Sequence, residues 1–309
     1  MMKKLVYYIL PLLFLFANKG DLMAQNQINM TQYMVHQPLI NMAAIGSYDN
    51  LNGALMHRQQ WVGFDGAPNT SMLSVNSPLK GKNFHIGGVF MQDRIGANQR
   101  TTFDLGFAYR MQLNEKNYLS LALSGGADHM VSDYSDLYLN DVDDPNFPNG
   151  SVSSFQPDFG FGAYFFSEKY YVGLSIPSLL RSANLYPERE LVIPEDFHYY
   201  LQAGYQFRLN DDFDLGISTL VKTVLGSPIQ YDVNVQPFFR DIVGLGLSYR
   251  SSHDIAGILT LNINESFTVS YSYDLGFSEF SAYHRNTHEV MLIYRRPARE
   301  MLRLSSPRF

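Results

Sequence analysis

The chain has 309 residues and a formal net charge of −6, room for one large domain or two ordinary ones and too acidic for a general nucleic-acid binder. Cysteine is absent, which excludes disulfides, thiolate nucleophiles, lipid attachment through a thiol and Cys-type zinc sites. Charged residues make up only 17% and the mean hydropathy is −0.15, which excludes a bundle of transmembrane helices but not a barrel, whose alternating strands average out.

Residues 1–24 read as a secretion signal peptide. Lys3 and Lys4 form the positive end, Leu5 to Ala17 the apolar stretch, and Leu22-Met23-Ala24 the small-residue cut before Gln25. The apolar run is shorter than the roughly 20 residues that span a bilayer. Residues 25–50 are polar and irregular, interrupted by Pro38 and Gly46. They fit an N-terminal periplasmic segment or a plug inside a barrel.

Residues 51–295 alternate. In Ser266 to Gly276, Phe267, Val269, Tyr271, Tyr273 and Leu275 are apolar or aromatic, while Thr268, Ser270, Ser272 and Asp274 are polar. A period of two gives a strand with two unlike faces. A soluble sandwich puts the greasy face inside; a membrane barrel turns it to lipid and sends the charges to the lumen. The same grammar recurs from Leu51–Val62 and Thr70–Leu79 through to Thr287–Arg295, giving about fourteen strands, each near the 9–11 residues of a tilted spanning strand. Aromatics such as Tyr109, Phe165, Tyr170, Tyr205 and Tyr294 fall near strand ends, where interfacial girdles want them. Tight polar turns, such as Asn114 to Asn117 and Asn210 to Asp212, alternate with longer links such as Ser132–Ser154 and Ser178–Phe197. The predicted fold is therefore all-β: an antiparallel transmembrane barrel of the outer membrane. An even strand number puts both termini on the periplasmic side. Residues 296–309 form a periplasmic basic tail, with Arg296, Arg299, Arg303 and Arg308 following Arg295.

The inward positions carry both signs of charge. The expected lumen lining is Asp104, Arg110, Asp128, Asp158, Arg208, Asp214, Lys222, Asp232, Arg250 and Asp274. Ion pairs and water in the lumen account for such a set, and a conduction path is the functional alternative. Fourteen strands enclose more than an eight-stranded, side-chain-filled barrel does, so the lumen needs filling by residues 25–50 or by a partner. The acidic link with Asp133, Asp136, Asp141, Asp143 and Asp144 lacks the alternation and closing Glu of a calcium loop. His288 and Glu289 point to opposite faces of one strand, and no nucleophile motif or phosphate-binding loop is present, so the chain is predicted not to be an enzyme and to need no cofactor.

The most distinctive run is His57 to Thr70, followed by Asp93-Arg94-Ile95-Gly96 at what reads as the next external loop. Arg58, Gln59, Gln60, Trp61, Gly63, Gly66, Ala67, Pro68 and Thr70 match an R-Q-Q-W-x-G-x-x-G-A-P-x-T pattern, and Asp93, Arg94 and Gly96 match D-R-x-G. With Tyr271-Ser272-Tyr273-Asp274 and His288-Glu289-Val290, the chain resembles the PorP/SprF family of type IX secretion membrane proteins of the Bacteroidetes. Two departures stand out: Met42 sits where Pro is usual, and a tail follows the last strand. The resemblance implies an outer-membrane component of that secretion system. Its partners would be secreted proteins with a C-terminal sorting domain, such as gliding adhesins, other components of the machine including periplasmic ones, and outer-membrane lipid. A docking face is expected from Arg58, Trp61, Gly66, Pro68, Thr70, Asp93 and Arg94. The rival reading is a barrel similar to the fatty-acid channels, carrying small hydrophobic solutes.

Overall fold

The computed structural model describes residues 29–81, 83–135, 150–179, 197–225, 227–277 and 286–297. The expected signal peptide, Asp136, Asp141, Asp143 and Asp144 of the acidic link, and Arg299, Arg303 and Arg308 of the tail lie outside the described residues.

Alternating sequence becomes fourteen antiparallel strands. They are β1 Asn52–Gln59, β2 Asn69–Pro78, β3 Phe84–Ile95, β4 Asn98–Gln112 and β5 Tyr118–Asp133. Then follow β6 Ser151–Phe166, β7 Tyr170–Ile176, β8 Tyr199–Arg208, β9 Phe213–Thr223 and β10 Gln230–Phe239. The last four are β11 Val243–Arg250, β12 Asp254–Asn262, β13 Phe267–Gly276 and β14 Thr287–Arg295. Each strand pairs with its sequence neighbours, and β1 pairs with β14 from Asn52↔Arg295 to Gln59↔His288, so the barrel is closed and no edge is left there.

The faces are inverted relative to a soluble protein. Leu55, Phe107, Leu123, Leu174 and Leu247 point outward and are exposed, whereas Ser74, Asn76, Ser120, Gln202, Asn234 and Ser270 point inward and are buried. With no water in the bilayer core, wall N–H and C=O groups must find partners within the protein, and a closed antiparallel ladder supplies them. Among the described residues no helix is long and apolar enough to do so.

One end of the barrel carries the connections 79–83, 113–117, 167–169, 209–212, 240–242 and 263–266. Asn114, Asn210 and Asn264 each accept backbone N–H groups within these turns, which keeps them tight. The other end carries 60–68, 134–150, 177–198 and 277–286 among others. A belt of ring pairs marks the short-turn end: Phe84–Tyr109 at 4.8 Å, Tyr205–Phe207 at 4.4 Å, Phe213–Phe239 at 5.2 Å and Phe267–Tyr294 at 5.3 Å between centroids.

Three differences from the sequence reading bear on the long-loop end. The first strand stops at Gln59 instead of Val62, because Trp61 takes φ 47° and turns the chain. Asp93, Arg94 and Ile95 belong to β3, not to a loop, since Gly96, at φ 56°, makes a hairpin of residues 96–97. The link read as Ser132–Ser154 is shorter, because β5 and β6 continue their ladder to Asp133↔Ser151.

Candidate functional site

The lumen is occupied by the chain's own residues 29–49. Met30, Tyr33, Met34, Val35, Ile40 and Ala43 to Ile45 are buried against inward Met56, Met72, Met91, Tyr164, Tyr171, Met291 and Ile293. Two short 3-10 helices, Gln37–Leu39 and Met42–Ser47, shape the segment. Inward glycines give the second helix its room. A Cβ on Gly87 would lie 3.1 Å from Ile45, and Cβ atoms on Gly106 and Gly162 would collide with Met42 and Asn41. Asn41 caps that helix by accepting from Ala43 N at 3.0 Å and donates to the wall carbonyl of Ala163 at 3.1 Å.

At the long-loop end a balanced charge cluster grips the start of this segment. Arg58 donates from Nη2 to Asp274 at 2.8 Å and from Nη1 to Glu289 Oε2 at 2.9 Å. Glu289 also accepts the backbone N–H of Thr31 at 3.0 Å and of Gln32 at 2.9 Å, and its own carbonyl accepts from Gln32 Nε2 at 3.0 Å. The Thr31 hydroxyl accepts from Arg58 at 3.0 Å and Arg250 at 3.3 Å and donates to Asp274 at 2.6 Å. Asp232 joins Arg250 at 3.2 Å to Lys222 at 3.6 Å, and Lys222 Nζ donates to Asn29 Oδ1 at 3.0 Å. Three cations, Arg58, Lys222 and Arg250, thus face three anions, Asp232, Asp274 and Glu289, with no net charge. Desolvating charges is costly unless each is paired and hydrogen-bonded, and here they are. At the other end Arg110 donates to Asp49 at 2.8 Å and to the carbonyl of Gly46 at 3.3 Å, while His85 Nε2 meets the carbonyl of Tyr48 at 3.1 Å.

Outside the lumen, on the long-loop face, residues 60–68 fold back on themselves. Gln60 N donates to Pro68 O at 2.9 Å, Phe64 N to Trp61 O at 3.0 Å, and Trp61 and Phe64 meet edge to face at 6.5 Å between centroids. Gly66, at φ 71°, turns its carbonyl to accept Gly96 N at 2.8 Å, so the two sequence-distant runs are joined. Beneath them Thr70 Oγ1 donates to Asp93 at 2.5 Å. Between these loops lies a cavity of about 810 Å³, lined by Gln59, Asp65, Asn69, Arg94, Gln99 and Asp133 among others. Its polar and charged rim suits a peptide-like or ionic partner more than an apolar solute.

A family model described as "Type IX secretion system membrane protein PorP/SprF" matches residues 22–294. The chain belongs to the PorP/SprF family. As members of a type IX secretion system, PorP/SprF barrels sit in the outer membrane, so the long-loop end faces the cell surface and the short-turn end the periplasm. No curated protein matches the chain. Solved structures similar to it include Omp33 of Acinetobacter baumannii, at 8% identity and a TM-score of 0.49, with 81% of this chain and 99% of that one covered. The CymD monoaromatic hydrocarbon channel is similar at 11% identity and a TM-score of 0.47, with 84% and 91% covered. The Ralstonia pickettii toluene transporter TbuX is similar at 9% identity and a TM-score of 0.46, with 83% and 92% covered.

The PorP/SprF signature divides between two places. Gly66 and Arg94 line the cavity, Trp61 and Pro68 belong to the 60–68 loop beside it, and Thr70 and Asp93 bond to each other beneath it on the inward parity of Met72 and Met91. Arg58 does not join them. Its side chain is only 2% exposed and points inward, because position 58 shares the inward parity of Met56 and Ala54, and it does not line the cavity.

Of the lumen set, Arg110, Asp128, Asp158, Lys222, Asp232, Arg250 and Asp274 are buried inside, and Asp104 is half-buried beside Leu39 and Met42. Asp128 lies 3.4 Å from Arg100, and Asp158 accepts from Leu179 N at 3.2 Å. Arg208 differs: it is exposed on the last residue of β8, opposite Asp214, at the short-turn rim beyond the filled interior. Sequence reasoning missed Thr31, Gln32, Asp49 and Glu289. Only Glu289 had a readable signal, its inward parity in β14. Among the described residues no group of His, Asp and Glu is placed to hold a metal ion.

Proposed function

We propose that this barrel serves type IX secretion by binding, holding a secreted protein with a C-terminal sorting domain at its outer face while periplasmic components of the machine meet the short-turn end. The observation that carries this reading is the junction of the two signature runs. Gly96 N bonds to Gly66 O, and the cavity forms where they meet, on the outward end and away from the lumen. A surface cavity lined by signature residues Gln59, Gly66, Ala67, Arg94 and Gly96 favours recognition over catalysis or conduction.

The rival reading, a channel for small hydrophobic solutes, needs a continuous apolar path through the lumen. Residues 29–49 stand in that path, held by ion pairs and hydrogen bonds at both ends, which weighs against it. The test is gentle detergent extraction of the tagged protein from its native membrane, with mass spectrometry of what stays bound. The expected result is a stoichiometric secreted protein with a sorting domain, lost when Asp65→Lys and Arg94→Glu are combined. Bound fatty acid without any secretion component would overturn the proposal. Removing residues 296–309 should weaken recovery of periplasmic components; unchanged recovery would restrict binding to the outer face.

A further inference from the structure

The direction in which residues 29–49 run fixes where the N-terminus goes. The segment meets β1 at the short-turn end, where Asp49 pairs with Arg110 and Tyr48 with His85. Asn41 and Ile40 then bond to β6 and β7. At Val35, whose N–H closes a turn onto Gln32 O at 3.0 Å, the chain caps a small pocket that Asp241, Asn262 and Arg295 line from the short-turn side. From there Tyr33 OH accepts from Asn234 Nδ2 at 2.6 Å, Thr31 and Gln32 bond to Glu289, and Asn29 bonds to Lys222. Arg58, Lys222, Asp232, Arg250, Asp274 and Glu289 all lie within a few residues of the long-loop ends of their strands. The described chain thus begins at the opposite end of the barrel from the strand it leads into.

We infer that removal of the leader after Ala24 leaves the new N-terminus at the outer mouth, on the cell-surface side, and not in the periplasm. Reach decides it. Four residues, Gln25 to Ile28, would precede Asn29, and four extended residues span at most about 14 Å. Returning to the short-turn end from Lys222 means passing the length of β9 to Phe213, roughly 30 Å along the strand and roughly 23 Å of depth at a tilt of about 40°. The lumen on that route already holds Met30 to Val35. The mature end would begin with Gln25-Asn26-Gln27-Ile28, a stretch without a charged side chain.

The absence of cysteine makes the test clean. Asn26→Cys, Asp65→Cys on the long-loop face and Glu115→Cys on a short turn are exposed in turn to a membrane-impermeant maleimide, on intact and on permeabilised cells. The intact mass of each purified protein reports leader removal. Asn26→Cys is expected to react on intact cells as Asp65→Cys does, with Glu115→Cys reacting only after permeabilisation. Reaction of Asn26→Cys only after permeabilisation, its failure to react in either case in a folded barrel, reaction of Glu115→Cys on intact cells, or a retained leader would each overturn the inference.

Discussion

Glu289 ties the inner segment directly to the barrel wall. One carboxylate accepts two backbone N–H groups of the inner segment and one guanidinium N–H of Arg58. Truncating one partner of a buried pair strands the other, at about 3–5 kcal/mol. Glu289→Ala should therefore lower the temperature at which the folded barrel loses its fast electrophoretic mobility in dodecyl sulfate. Glu289→Gln, which keeps the side-chain volume and one of the two acceptor oxygens, should lower it less; equal losses would show that the charge and the second acceptor matter more than the volume. At this scale the sequence was partly legible. The opposite facing of His288 and Glu289 follows from period-two alternation, and the structure has Glu289 buried while His288 meets the outward Tyr271 OH at 2.7 Å. What Glu289 binds was not legible, because Thr31 lies 258 residues away in sequence and no local pattern encodes that pairing.

At the scale of elements, the inner segment and the wall fit through size. Gly106 and Gly162 face Met42, Asn41 and Ala43, and side chains there must push the 3-10 helix aside. Overpacking of this kind costs about 1–3 kcal/mol. Gly106→Leu should loosen the segment without opening the barrel, read as maleimide reaction of an added Ile45→Cys that is protected when Gly106 is intact. Removing residues 29–47 altogether should turn a barrel without steady conductance in planar bilayers into one that passes ions in discrete steps. Persistently closed records from that deletion would mean that other elements fill the lumen. The strands themselves were readable from alternation, and their ends less so. Trp61 turns the chain two residues after β1 ends, a backbone choice that a bulky residue rarely makes and that no propensity announces. The β5–β6 ladder outran its expected end because β-branched and small polar residues continue a strand as readily as they form a loop.

At the scale of the whole molecule, the outward apolar face matches the outer membrane in which PorP/SprF barrels sit. Leu247 lies near the middle of β11 and is 67% exposed, pointing to lipid. Leu247→Arg should cost about 2–4 kcal/mol if it sits at the bilayer midplane. The fraction of folded barrel recovered from the outer membrane should fall, whereas the same change at rim residue Leu209 should be tolerated. Equal recovery of the two variants would move the lipid boundary away from the middle of β11. Inverted faces were the most legible property of all, since they depend only on which residues alternate and not on their partners.

The placement of residues 29–49 also has a consequence in time. The segment precedes β1, yet its polar atoms are bound by strands as late as β13 and β14. A ring that closed empty would have to admit a chain end afterwards through a mouth crowded by loops. A sheet that curls around the segment as it grows meets no such obstacle. On that order residues 29–49 would act as a mandrel for the curving sheet, and the β1–β14 seam would be the last to form. Contacts so distant in sequence are won late and slowly, and the unsealed edge strands are the state in which this chain is most open to capture by assembly factors or by its own copies.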